Sequence, residues 1–186
     1  KYDDPMWEEF LDQFTFEEML TLFNDGCYST ASITRKMKVI NEETHEEEEK
    51  NVVIVPKTTS ADGPTGIVGF LGDPSIYGCC YYQSECLLAQ TYNVELADLQ
   101  AKAIGNECLI GNEAGGGLAY PGWYAPGVNL HRSPFSGRNT EYYSEDPFLN
   151  GRFAGRVIKG VAEKGVYANV KHFAVNDQET HRSTKG

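Results

Sequence analysis

At 186 residues, 40% apolar and 23% charged, the chain has the size and composition of one globular domain. Its 16 basic against 27 acidic residues leave a formal charge of −11, which repels phosphate backbones and anionic bilayers and excludes nucleic acid as a partner. No apolar run approaches the roughly 18 residues of a membrane span, and the opening KYDDPMWEEF lacks the basic-then-apolar order of a signal peptide, so no membrane partner is expected.

In chain order, Asp4 and Pro5 predict an N-cap and first-turn proline for a short helix to Gln13. Thr15 and Glu18 have the spacing of a capping box, Phe14 and Met19 that of a hydrophobic staple, and Gly26 can end the second helix. Residues 27 to 40 carry no clear pattern. Glu42 to Lys50 holds six glutamates around His45 and reads as an exposed, mobile acidic loop. Residues 1–50 are thereby set apart from 51–186.

Val52 to Val55 reads as a buried strand that feeds the polar segment KTTSADGPTG, whose Gly63, Pro64 and Gly66 can fix a loop holding the Asp62 carboxylate out of a strand end. Residues 70 to 83 are an aromatic, glycine-rich excursion. From Glu85 to Ile110 the sequence predicts one long helix with Leu88, Tyr92, Leu96, Leu99, Ala103 and Ile104 on its apolar stripe. The GNEAGGG of 111–117 follows a helix rather than a strand, so it is a loop and not a dinucleotide fingerprint. A strand over Tyr124 to Leu130 leads into a polar and aromatic loop. Ser144 is placed to cap a helix that buries Leu149, Phe153, Val157, Ile158 and Val161 and ends at Gly165. A last strand, Val166 to Phe173, then delivers NVKHFAVNDQETHR, fourteen residues dense in donors and acceptors of both signs.

Strand, loop and helix thus alternate, with polar clusters after three strands, around Asp62, Arg138 and Lys171. That order predicts an α/β fold with a parallel sheet, and clusters converging on one sheet edge fit the C-terminal face of a (β/α)8 TIM barrel. A whole barrel takes about 250 residues, so the expectation is roughly its first half. The chain opens on Lys1 and stops at Gly186 just past its densest polar cluster, as expected of a segment whose partner is the remainder of a parent chain. The five cysteines, 27, 79, 80, 86 and 108, form no CxxC pair or zinc spacing. They read as small packing residues of a reducing, cytoplasmic compartment. No metal or other cofactor is expected.

Four blocks, SADGPTG (60–66), YAPGVNLHRSPFSGRNTEYYSEDP (124–147), KGVYANVKHF (164–173) and NDQETHR (176–182), resemble the N-terminal barrel domain of glycoside hydrolase family 3, the family of many β-glucosidases and β-xylosidases. The resemblance covers residues 50 to 182 and implies a hydrolase acting on terminal nonreducing β-D-glucosyl residues by retaining double displacement. By that resemblance Asp62, Arg138, Lys171, His172 and Arg182 match the positions lining the subsite for the nonreducing sugar, with a β-glucoside or related oligosaccharide as ligand. The chemistry fits: one carboxylate accepts hydroxyl hydrogen bonds and four basic groups donate them. His131 is assigned to packing.

The nucleophilic Asp and the acid/base of such enzymes lie in later parts of the chain, and neither motif is present here. Glu141, Asp177 and Glu179 match no catalytic position, so the segment alone is expected to be inactive. Two departures bear on specificity. Many relatives carry an Arg six residues after the loop Asp, where this sequence has Val68; and KHFAVNDQETHR stands where the N-acetylhexosaminidase branch has KHFPGHG, which favours glucosides or xylosides. The alternatives are a β-xylosidase or a noncatalytic carbohydrate-binding relative. A nicotinamide oxidoreductase fails on the misplaced glycine loop.

Overall fold

A computed structural model describes residues 3–26, 29–68, 79–110 and 120–182. Cys27, most of the aromatic excursion and the GNEAGGG loop lie outside the described residues. The chain divides into two compact units, Lys1–Thr58 and Thr59–Gly186.

In the first unit, α1 (Met6–Leu11) starts where Asp4 Oδ1 accepts the Met6 N–H at 3.1 Å. The predicted capping box opens α2 (Phe16–Asn24): Thr15 Oγ1 accepts the Glu18 N–H at 3.2 Å and Glu18 Oε2 accepts the Thr15 N–H at 2.9 Å. A short strand β1 (Ser29–Thr30) precedes β2 (Ile33–Ile40), which pairs antiparallel with β3 (Glu47–Val55).

This hairpin corrects two expectations. The acidic stretch is not a loop throughout, because Glu47 to Lys50 lie in β3 opposite Ile40 to Met37. Two cations make this tolerable: Lys38 of β2 meets Glu47 at 3.2 Å, and Lys50 of β3 itself meets Glu48 at 2.6 Å. Asn41 shapes the turn, its Oδ1 accepting the Glu43 and Thr44 N–H groups. The run Val52–Val55 is correspondingly the end of an antiparallel hairpin rather than a buried strand of the parallel sheet, and Val53 is exposed. Arg35 on β2 grips Glu18 of α2 through two bonds of 2.7 Å. That grip holds the Glu18 carboxyl down at about 2.

The second unit is α/β. Its sheet sets β4 (Thr58–Asp62), β5 (Gly122–Tyr124) and β6 (Tyr167–Ala168) side by side and parallel, with Asp62 opposite Tyr124 and Trp123 opposite Ala168. β5 comes earlier and is shorter than predicted, since Pro126 has no N–H to continue a ladder. β6 is likewise brief, though Lys171 rejoins the pattern in a parallel bridge to Gly127.

The long helix is two: α3 (Glu85–Gln90) and α4 (Val94–Ile110). Tyr92 between them has φ 54°, a left-handed backbone that ends one helix before Asn93 Oδ1 accepts the Glu95 N–H of the next. The break resets the phase of the stripe. Leu96 and Leu99 face solvent; Ile104 is buried as predicted, and Ala97, Ala101 and Cys108 share its face. Small residues on that face let α5 (Pro147–Ala162) come close: a Cβ on Gly160 would stand 2.7 Å from Ala101 Cβ. Burial pushes the Cys108 thiol up to about 12, as befits a packing residue. α5 is capped by Asp146, whose Oδ1 accepts the Phe148 N–H, and not by Ser144, which instead accepts the Asp146 N–H. Pro147 at the first helical position fixes that frame. Phe153, Val157 and Val161 enter the core with Trp123 and Ile104. Among the described residues no helix is long and apolar enough to cross a membrane.

Candidate functional site

The C-terminal end of β4, the loop that follows β5 and the segment after β6 bound a cavity of about 470 Å3 lined by Asp62, Val68, Ser84, Arg138, Glu141 and Lys171, among others. Each arrives by a different route. Asp62 is the last residue of β4, and the Gly63–Gly66 turn folds back so that the Val68 N–H reaches the Asp62 carbonyl at 2.9 Å. Gly63 has φ 119° and would collide with Val68 if it bore a Cβ, so the turn requires glycine there. Trp123 Nε1–H donates to the Gly63 carbonyl at 2.8 Å and ties this turn to β5.

Lys171 Nζ donates to Asp62 Oδ1 at 2.7 Å and lies 3.7 Å from Glu141 Oε2. Arg138 Nε is bound to Glu141 Oε1 across the short 3-10 turn Asn139–Glu141. The cavity is therefore rimmed by two cations and two carboxylates in alternation, with Lys171 12%, Asp62 18%, Glu141 13% and Arg138 19% exposed. Such an arrangement offers donors and acceptors to a neutral, hydroxyl-rich ligand without presenting a large net charge.

His172 sits behind Arg138. Arg138 Nη2 lies 2.9 Å from His172 Nε2, and since guanidinium only donates, Nε2 accepts and the ring proton is on Nδ1, donating to Tyr142 Oη at 3.1 Å. The ring is neutral: burial, reinforced by Arg138, lowers its pKa below the usual 6.5. Its backbone N–H is held by Asn129 Oδ1 at 2.8 Å. Asn176 Nδ2 adds bonds to Tyr142 Oη and Glu179 Oε1.

Of the five predicted residues, then, Asp62, Arg138 and Lys171 share the cavity. His172 and Arg182 line a second hollow of about 460 Å3, with Arg138 belonging to both. Arg182 is largely exposed and is bound to Glu179 at 2.9 Å, which in turn lies 3.8 Å from Arg138. His131 bonds the Tyr142 carbonyl at 2.8 Å, a structural contact. Sequence reasoning passed over Glu141, although its place three residues after Arg138 is the spacing that puts two side chains on one face of a tight turn. Tyr142, Asn129 and Asn176 gave no signal, because each acts on the site through contacts to residues distant in sequence, Tyr142 and Asn129 to His172 and Asn176 to Tyr142. Among the described residues no group of three His, Cys, Asp or Glu is arranged to hold a metal.

The geometry invites comparison with known proteins. The family model described as Glycosyl hydrolase family 3 N terminal domain matches residues 20–186. The chain belongs to that family. Among curated family relatives, it is 34% identical over 184 residues to β-glucosidase B of Emericella nidulans, covering 99% of this chain and 19% of the relative. It is 37% identical over 133 residues to β-glucosidase A of Butyrivibrio fibrisolvens, covering 69% of this chain and 14% of that protein. The solved structure of β-glucosidase 3B from Thermotoga neapolitana in complex with glucose matches with a TM-score of 0.65 at 33% identity, over 94% of this chain and 24% of that one. This glycosyl hydrolase family 3 N-terminal domain thus spans a fifth or less of the length of the two curated relatives, at 19% and 14%.

Proposed function

We propose that this domain is the sugar-gripping part of a β-glucosidase-like glycoside hydrolase, forming roughly the first half of a (β/α)8 barrel and holding the terminal nonreducing glucosyl residue of a β-glucoside. The observation that carries the reading is the alternation of Asp62, Lys171, Glu141 and Arg138 around one cavity. A pyranose presents hydroxyls that both donate and accept, and charged partners make each such bond roughly twice as strong as a neutral one. A site of this kind rejects sugars that leave one of its buried polar groups unpaired. His172 fixes Arg138 from behind, and Arg182 with Glu179 braces the same guanidinium at the second hollow. Val68 lines the cavity with an apolar wall, which matches a sugar face rather than a further hydroxyl.

Retaining hydrolysis takes a carboxylate nucleophile and a second carboxyl as acid/base. In this chain Asp62 is engaged by Lys171 and Gly63, and Glu141 by Arg138, so both serve as acceptors and counterions. We assign the nucleophile and the acid/base to the parent polypeptide beyond these residues. Nitrophenol release from β-glucoside, β-xyloside and N-acetyl-β-glucosaminide substrates tests the reading. The native polypeptide containing this domain should cleave the glucoside and the isolated 186 residues should not. Turnover by the isolated domain would contradict the assignment of the nucleophile, preference for the xyloside would change the substrate, and glucose binding without any turnover would make the protein a carbohydrate binder.

A further inference from the structure

One acidic side chain beneath the cavity has no role in the reading above. Glu85, the first residue of α3, is only 1% exposed. Its Oε1 accepts the Gly127 N–H at 3.0 Å, while its Oε2 is buried with no hydrogen-bond partner. A surface-type helix start does not need this, because Ser84 already caps α3 by accepting the Leu87 N–H.

Gly127 is where the cavity's supports meet. It forms the bridge to Lys171, flanked by the Lys171 N–H on the Pro126 carbonyl at 3.1 Å and the Val128 N–H on the Lys171 carbonyl at 2.7 Å. A Cβ on Gly127 would stand 2.2 Å from the Glu141 carbonyl oxygen and 2.9 Å from the Tyr142 ring, so the backbone carrying Glu141 passes directly over it. β5 has ended at Tyr124, and the Gly127 N–H takes its acceptor from a side chain instead of a neighbouring strand.

We propose that Glu85 is a positioning residue for the sugar cavity: by holding the Gly127 amide it fixes the point where the Lys171 and Glu141 backbones meet, and so aims both side chains at Asp62 and Arg138. The proposal rests on reading the cavity as the glycone site. Glu85 does this as a neutral acid. Burial drives its carboxyl well above the usual carboxylate range, outweighing the Gly127 amide and Lys171, and Glu141 pushes the same way. A neutral acid accepts through its carbonyl oxygen, which is also what a glutamine offers.

The test compares Glu85→Gln and Glu85→Met in the native polypeptide, by calorimetric titration with glucose and by hydrogen exchange at the Gly127 amide. Glutamine keeps the acceptor and should bind within about threefold of the unsubstituted protein, whereas methionine keeps the volume but removes the acceptor and should lose about tenfold or more, the size of one buried hydrogen bond. Gly127 exchange should quicken in the methionine variant alone. A folded methionine variant with unchanged affinity and unchanged exchange overturns the proposal. Should that variant not fold, the glutamine variant decides: a tenfold loss with the acceptor retained also overturns it. If the unsubstituted protein does not bind glucose, the reading of the cavity fails, and exchange at Gly127 still decides what Glu85 does.

Discussion

Replacing Lys171 by Met removes the ammonium 2.7 Å from Asp62 and 3.7 Å from Glu141. Asp62 then loses a charged partner in a cavity where its side chain is 18% exposed, while Glu141 keeps Arg138. Breaking a fully buried pair by deleting one partner costs about 3–5 kcal/mol, and a fully exposed pair contributes about 0–1 kcal/mol. With both members mostly buried, the loss in stability should lie between these, at about 2–3 kcal/mol. Sugar affinity should fall as well. A hydrogen bond from a charged donor contributes about 1.5–3 kcal/mol, or roughly 10- to 150-fold in Kd. The assay is a double-mutant cycle of Lys171→Met with Asp62→Asn in the native polypeptide, read by urea unfolding through tryptophan fluorescence and by glucose titration. The double variant should cost less than the sum of the singles by about 0.5–3 kcal/mol, because neutralising Asp62 removes the carboxylate that has lost the Lys171 ammonium. Additivity within about 0.3 kcal/mol, together with an unchanged glucose Kd in Lys171→Met, refutes the argument that this pair organises the cavity.

Three further outcomes follow from other contacts. The folded-state pKa of His172 lies below 6.5, so the native state resists a proton that the unfolded chain accepts, and stability is lost as pH falls from 6.5 through that lowered value. Protonation also sets Nε2–H against Arg138, so glucose affinity measured by calorimetry should decline over the same window, and a flat profile there would remove His172 from the site. On α5, Gly160→Val forces atoms into Ala101 and should destabilise by about 1–3 kcal/mol, whereas Gly155→Ala meets open space and should stabilise by about 0.5–1 kcal/mol, both read from urea midpoints. In the first unit, Glu18 is held at about 2 by Arg35, so the stability it contributes is complete above 4.5 and is lost as pH falls toward 2. Carbon-detected titration of the Glu18 carboxyl should give that low midpoint and Arg35→Met should raise it; a midpoint near 4.5 in the unsubstituted protein would show that the grip is absent in solution.

Features written in local chemistry were the legible ones. The Thr15–Glu18 capping box and the Phe153–Val157–Val161 stripe depend on residues within a turn or two of each other, and both stand as predicted. The hairpin was missed because β3 is stabilised by partners across the turn on β2, where Lys38 changes the meaning of a glutamate run only once register is known. The long helix was split by one left-handed residue, Tyr92, a conformation that tyrosine's identity does not announce. With that break, a stripe drawn through Leu88 and continued to Leu99 crosses from the buried face to the solvent face.

The site divides along the same line, and the division says which of its residues are most open to replacement. Asp62 and Lys171 were legible because a strand end followed by glycines or by a polar burst is where an α/β fold can afford polar side chains. Glu141 and Glu85 were not, since a carboxylate three residues from an arginine, or at the start of a helix, is far more often a solvated surface group. What distinguishes them is burial, which only the assembled chain creates. Glu141 is partly buried beside two cations and Glu85 is buried beside a single amide, and from the same side-chain chemistry the first is a counterion and the second a neutral acceptor. Substitution should therefore act oppositely at the two positions: glutamine should serve at 85, where an acceptor suffices, and fail at 141, where Arg138 and Lys171 both need the charge.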